Sequence, residues 1–130
     1  MDEMILYTVR GVVAHGKHLG RHIGFRTVNL PLPEGGDVPE NGVYAAELLI
    51  VQTGEKFIGV LNQGLHPTFP SGAPSVEMHL LDAQVDLYDK EVEIRYRKFL
   101  RPEKKFASAE ELAAQIARDV EATRTLLSKN

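Results

Sequence analysis

The chain has 130 residues, 43% of them hydrophobic, with 15 Lys+Arg against 18 Asp+Glu for a formal charge of −3, and neither Cys nor Trp. One domain, residues 1–130, is expected at this length, and the absence of Cys excludes disulfides, thiolate zinc sites and cysteine nucleophiles. The mildly acidic balance argues against a nucleic-acid partner; the lack of a long apolar run or a basic-then-apolar N-terminus argues against a membrane one, so a soluble, cytoplasmic protein is expected.

The predicted elements are mostly short strands separated by Gly/Pro turns. Residues 5–14 are apolar and β-branched enough for a strand, and a glycine-punctuated loop follows from Gly16. Residues 43–51 and 57–61 flank the turn-like Gln52-Thr53-Gly54-Glu55 and read as a hairpin. Residues 76–81 follow a Pro/Ser/Gly loop. In residues 91–98, Val92, Ile94 and Tyr96 alternate with Glu93, Arg95 and Arg97, which predicts a strand with one buried and one wet face. The period then changes. Ser108-Ala109-Glu110-Glu111 matches a capping box, and Leu112, Ile116, Val120 and Leu127 fall near one helical face that Thr123 and Arg124 interrupt. A mainly β fold closed by one C-terminal helix is the natural architecture.

Three regions hold candidate chemistry. From Met4 to Pro33 there is no Asp or Glu, while Arg10, Lys17, Arg21 and Arg26 stand among Gly11, Gly16, Gly20 and Gly24. Glycines beside cations let backbone N–H groups approach an anion, and Thr27 and Asn29 add hard oxygen donors suited to Mg²⁺. A solvated turn is the plainer reading of such a stretch, and it is neither a P-loop nor a dinucleotide fingerprint. His15, His18 and His22 have helical spacing, but the interleaved glycines disfavour a helix and hence a zinc site. Glu77, on a predicted strand where Val76, Met78 and Leu80 face the other way, is a candidate general base; a solvent-facing edge-strand Glu is the alternative. The charged connector 100–106 is either a lid or simply surface.

Taken in order, Gly11-x-Val13-x-x-Gly16, Gly20-Arg21-x-x-Gly24-Phe25-x-Thr27-x-Asn29-Leu30, Asn41-Gly42-Val43-Tyr44, Asn62-x-Gly64-x-x-Pro67-Thr68-Phe69, Val76-Glu77-x-His79-Leu80-Leu81-Asp82, Asp86-Leu87-Tyr88, and Leu100-Arg101-x-Glu103-x-Lys105-Phe106 through Gln115-Ile116-x-x-Asp119 resemble the riboflavin kinase domain. The resemblance runs from about Tyr7 to Leu127. It implies a six-stranded antiparallel Greek-key barrel with a C-terminal helix, and ATP-dependent phosphorylation of riboflavin to FMN with release of ADP. It assigns Thr27 and Asn29 to Mg²⁺ and the ATP phosphates, and Gly16, Lys17, His18, Gly20, Arg21 and Gly24 to the nucleotide. Glu77 becomes the catalytic carboxylate, Arg101, Pro102 and Glu103 the flap over the flavin, and the helix a wall beside the isoalloxazine.

The chain departs from that pattern at three positions. Arg26 replaces a Pro that would preorganise Thr27, Gln63 stands at an apolar position, and Asp89 fills a turn site where Gly is usual. A monomer is expected, making FMN and not FAD if the chain is the whole protein, whereas the parent of an excised domain could make both; a non-catalytic flavin or nucleotide sensor derived from the kinase is the competing reading.

Overall fold

The computed structural model describes residues 4–13, 26–32, 38–65, 74–82, 87 and 89–127. Its elements are β1 (Tyr7–Val12), β2 (Arg26–Pro31), β3 (Gly42–Ile50), β4 (Lys56–Leu65), β5 (Pro74–Leu80), β6 (Glu91–Arg101) and α1 (Ala109–Leu127).

Alternation sorts the strands into two faces, because successive side chains leave a strand on opposite sides. Val28 and Leu30 of β2, Val76, Met78 and Leu80 of β5, Leu61 of β4, Tyr44, Ala46, Leu48 and Ile50 of β3, and Val92, Ile94 and Tyr96 of β6 form one buried cluster with Val9 of β1. Each fully buried Val, Leu or Ile contributes roughly 1.5–3 kcal/mol, and this cluster sets the register of the whole sheet.

All neighbouring strands are antiparallel, in the order β1-β6-β3-β4-β5-β2. Strands β3, β4 and β5 are consecutive neighbours, and β6 returns to lie beside β3, giving the spatial order of a Greek key. The sheet curls into a half-barrel that brings its two end strands together over the core: a β-carbon placed on Gly11 of β1 would stand 3.4 Å from Leu30 Cδ2 of β2. The expected mainly β Greek-key fold with one terminal helix is therefore the observed one.

The 52–55 hairpin forms as expected. Gly54 N–H donates to Ile50 O at 2.8 Å and Ile50 N–H donates to Glu55 O at 2.9 Å, with Gly54 at a φ of +80°. Two departures from the resembled pattern find their reason here. Asp89 takes a left-handed φ of +68°, a conformation Asp tolerates better than most residues. Gln63 is buried on the inner face, where its amide donates to Pro39 O at 2.7 Å and Asn41 Oδ1 at 3.2 Å while its oxygen accepts from the Tyr96 hydroxyl at 2.7 Å. A buried amide so satisfied replaces an apolar residue at little cost.

Three sequence-level expectations need correction. Residues 26–31, treated as part of a glycine-cation loop, form strand β2, whose short Thr27/Asn29 versus Val28/Leu30 alternation is masked by the glycines before it. Strand β4 runs on through Asn62, Gln63 and Gly64 to Leu65, because its backbone stays in register with β5 throughout. The helix turns the expected side inward, but the most buried residues on that side are polar. Asp119 and Thr123 are its buried residues, Ile116, Val120 and Leu127 are half-buried, and Leu112 is exposed. The capping Ser108 performs its role, its hydroxyl accepting from Glu111 N–H at 3.1 Å, while the Glu111 carboxylate accepts from Ala107 N–H at 3.1 Å.

Candidate active site

The outer face of the sheet carries what the inner face does not use. Cross-strand partners in an antiparallel pair point the same way, with β-carbons about 4.5–5.5 Å apart. Asn29 of β2 is opposite Glu77 of β5, Glu77 is opposite Asn62 of β4, Asn62 is opposite Val43 of β3, and Val43 is opposite Arg101 of β6. Residues 29, 77, 62, 43 and 101, far apart in sequence, thus form one row across five strands. In the neighbouring row Thr27 is opposite His79, with Thr27 Oγ1 and His79 Nδ1 3.5 Å apart.

Glu77 sits on an interior strand, not on the edge strand that would have made it an ordinary surface carboxylate. It is half-buried, and burial raises its carboxyl above the usual carboxylate range. The folded protein consequently holds this proton to higher pH than the unfolded chain does. Stability associated with Glu77 is complete below the unfolded value and is lost as pH rises through the folded one.

Thr27 and Asn29 are buried, 8% and 2% exposed, so their oxygens are held in place by the strand and its surroundings. Arg26, where the resembled pattern has Pro, is register-paired with Leu80, so the ladder itself fixes the backbone leading into Thr27. Among the described residues no three His, Cys, Asp or Glu side chains cluster as a metal site. The hydroxyl of Thr27 and the amide of Asn29, beside one carboxylate, instead form a sparse set of hard oxygen donors. Such a set suits Mg²⁺, which keeps several waters and takes further ligands from substrate phosphates.

Helix α1 packs on the outer face over β4 and β3, next to the row. Its docking is polar. Asp119, only 5% exposed at its side chain, receives Arg101 through Nε at 3.1 and 3.2 Å and Nη2 at 2.8 Å, and Gln115 Nε2 donates to it at 3.0 Å. Arg101 therefore ties the end of β6 to the helix and also lies 5.7 Å from the Phe106 ring centre. Pro102 and Glu103 continue outward and are exposed. The Glu103 carboxylate folds back over Gly64 of β4, in the space a β-carbon would need. Of the three flap residues, Glu103 overlies the face that bears Glu77, and Arg101 anchors the loop from behind.

The other nucleotide-binding candidates, Gly16, Lys17, His18, Gly20, Arg21 and Gly24, lie outside the described residues, as do His15 and His22. Asn62 went unremarked as a site residue from sequence. Its Oδ1 is buried without a hydrogen-bond partner among the described residues, and its place in the Asn62-x-Gly64 motif was the available signal.

The outer face of the half-barrel thus aligns a half-buried carboxylate with hard oxygen donors, beside an exposed connector and a docked helix, a donor set of the kind phosphate chemistry uses. The riboflavin kinase (flavokinase) family model matches residues 4–127. The chain is 46% identical over 114 residues to the bifunctional riboflavin kinase/FMN adenylyltransferase of Escherichia coli K12, covering 87% of this chain and 36% of that protein. It superposes on the crystal structure of a macrolide-efflux protein from Streptococcus pneumoniae with a TM-score of 0.77 and 32% identity, over 90% of this chain and 38% of that one. The riboflavin kinase of Trypanosoma brucei shares the fold, with a TM-score of 0.63 and 24% identity over 94% of this chain and 80% of that one.

The chain belongs to the riboflavin kinase family. It spans 36% of the length of the Escherichia coli relative.

Proposed function

We propose that the chain transfers the γ-phosphoryl group of ATP to the terminal ribityl hydroxyl of riboflavin, giving FMN and ADP, and that it does so as a cytoplasmic monomer. The observation that carries this reading is the outward row in which Glu77 stands between Asn29 and Asn62. Phosphoryl transfer asks a protein mainly to align the two oxygens and to balance charge on the transferring group. Glu77, held by an interior strand, accepts the proton of the attacking hydroxyl as the new O–P bond forms and the bond from phosphorus to ADP breaks. Its raised carboxyl value favours that acceptance.

Thr27 and Asn29 are the residues that would hold Mg²⁺ with the ATP phosphates, where the ion supplies charge neutralisation and a template. The absence of acidic residues from Met4 to Pro33 keeps carboxylates away from a polyanion. Glu103, with Arg101 and Pro102 behind it, would close over the flavin, and α1 would supply the wall beyond. The Arg26 substitution gives no support to a non-catalytic sensor, since β2 is held by its pairing with β5.

Chromatography of riboflavin incubated with the protein, ATP and Mg²⁺ tests the reading. FMN and ADP in equal amounts are the expected products. Riboflavin that binds but is returned unchanged would favour the sensor instead.

A further inference from the structure

Phosphoryl transfer by Glu77, Thr27 and Asn29 gives Asn62, their neighbour in the row, no part to play. Asn62 Oδ1 is inaccessible to solvent and has no donor among the described residues, although it lies directly across from Glu77. A buried acceptor left unpaired bears its full desolvation penalty, and each such group in a folded protein calls for a reason. The helix that packs over β4 does not provide one: Thr123 Oγ1, buried on α1, is also without a partner among the described residues, so the two groups do not satisfy each other.

The order of strands says which part of the reactants lies at Asn62. Glu77 is second in its row, with Asn29 on the β2 side and Asn62 on the β4 side, and neighbouring strands are about 4.8 Å apart. Under the proposed function, the phosphates lie toward Thr27 and Asn29, so the acceptor molecule extends from Glu77 the other way, over β4. There it meets Asn62, then the buried Val43 beneath the helix, with Glu103 over Gly64 two residues along β4. An amide oxygen needs a donor. Ionised phosphates have none to give, whereas each hydroxyl of a polyol chain does.

We propose that Asn62 is a further substrate-positioning residue, whose amide oxygen accepts a hydrogen bond from a secondary hydroxyl of the acceptor's polyol chain and so orients the terminal hydroxyl toward Glu77. The inference rests on the kinase reading for its direction along the row. A site built to bond a hydroxyl rejects the analogue lacking it, because its own buried polar group is then left unpaired.

The test compares riboflavin with three analogues, each lacking one secondary ribityl hydroxyl, on the wild-type chain and on Asn62→Ala. For wild type, one analogue is expected to lose roughly tenfold or more in kcat/KM. Asn62→Ala should lose about as much on riboflavin and no more on that analogue, an equalisation that damage to the fold would not produce. Asn62→Ser, which keeps a small acceptor, should retain part of the discrimination and serves if Asn62→Ala does not fold. Equal treatment of all four flavins by wild type, or discrimination unchanged in the variants, overturns the proposal. Flavin fluorescence quenching without nucleotide gives the same comparison as Kd ratios. If wild type makes no FMN, the kinase reading fails while those ratios still decide the role of Asn62; if riboflavin does not bind, both fail.

Discussion

On the inner face of the sheet, Tyr96 and Gln63 are both buried and bonded to one another, and Gln63 spends its amide hydrogens on Pro39 and Asn41. On the outer face of the same sheet, Glu77 is held with its charged form disfavoured and Asn62 Oδ1 is buried with no donor among the described residues. The packing is also different. Tyr96 sits among Tyr7 and Tyr44 with ring centres 5.3 and 4.8 Å away, whereas on the outer face a helix docked through an ion pair packs on β4 and β3 and the exposed Glu103 lies over Gly64. One face is a finished core. The other holds a buried acceptor, Asn62 Oδ1, that has no partner among the described residues.

Substitutions on the two faces should separate these roles. The largest loss of stability is expected from Asp119→Ala, which strands Arg101 beside the helix and costs on the order of 3 kcal/mol; denaturant unfolding reads it. Gly59→Ala comes next, at about 1–3 kcal/mol, since a β-carbon there would strike the His79 carbonyl oxygen and stand 3.0 Å from Met78 Cε. Tyr96→Phe follows at about 1–2 kcal/mol, because Gln63 Oε1 loses its buried donor, and its turnover should stay near wild type. Gly64→Ala should alter stability by less than about 1 kcal/mol, since what it displaces is the movable end of Glu103. Its effect is expected in KM for the flavin. A Gly64→Ala chain with unchanged kinetics would remove Glu103 from the site and blur the contrast between the faces.

The parts of the fold legible in sequence are those where local pattern and tertiary environment agree. Val92, Ile94 and Tyr96 alternate because β6 lies between β1 and β3 with one face in the core, and the turn at Gly54 announces itself by composition. The helix was legible in its start at Ser108 and in its inward side, but not in which residues that side buries most, because Asp119 is buried by Arg101, eighteen positions away. Glu77, Thr27 and Asn29 could be singled out by chemistry and family pattern. That Glu77 is paired with Asn29 on one side and Asn62 on the other depends on the order of β2, β5 and β4, which no local signal carries.

The same order makes Glu77 the sharpest point of the account. Replacing it with Gln removes a desolvated carboxylate, so the folded protein should be more stable than wild type above the Glu77 titration and lose the pH dependence that Glu77 contributes. The decisive measurement is the rate of FMN formation by Glu77→Gln, on protein shown by its melting curve to be folded. A fall of roughly 10²–10⁴-fold at unchanged riboflavin binding is predicted; turnover close to wild type would contradict the assignment of Glu77 as the base.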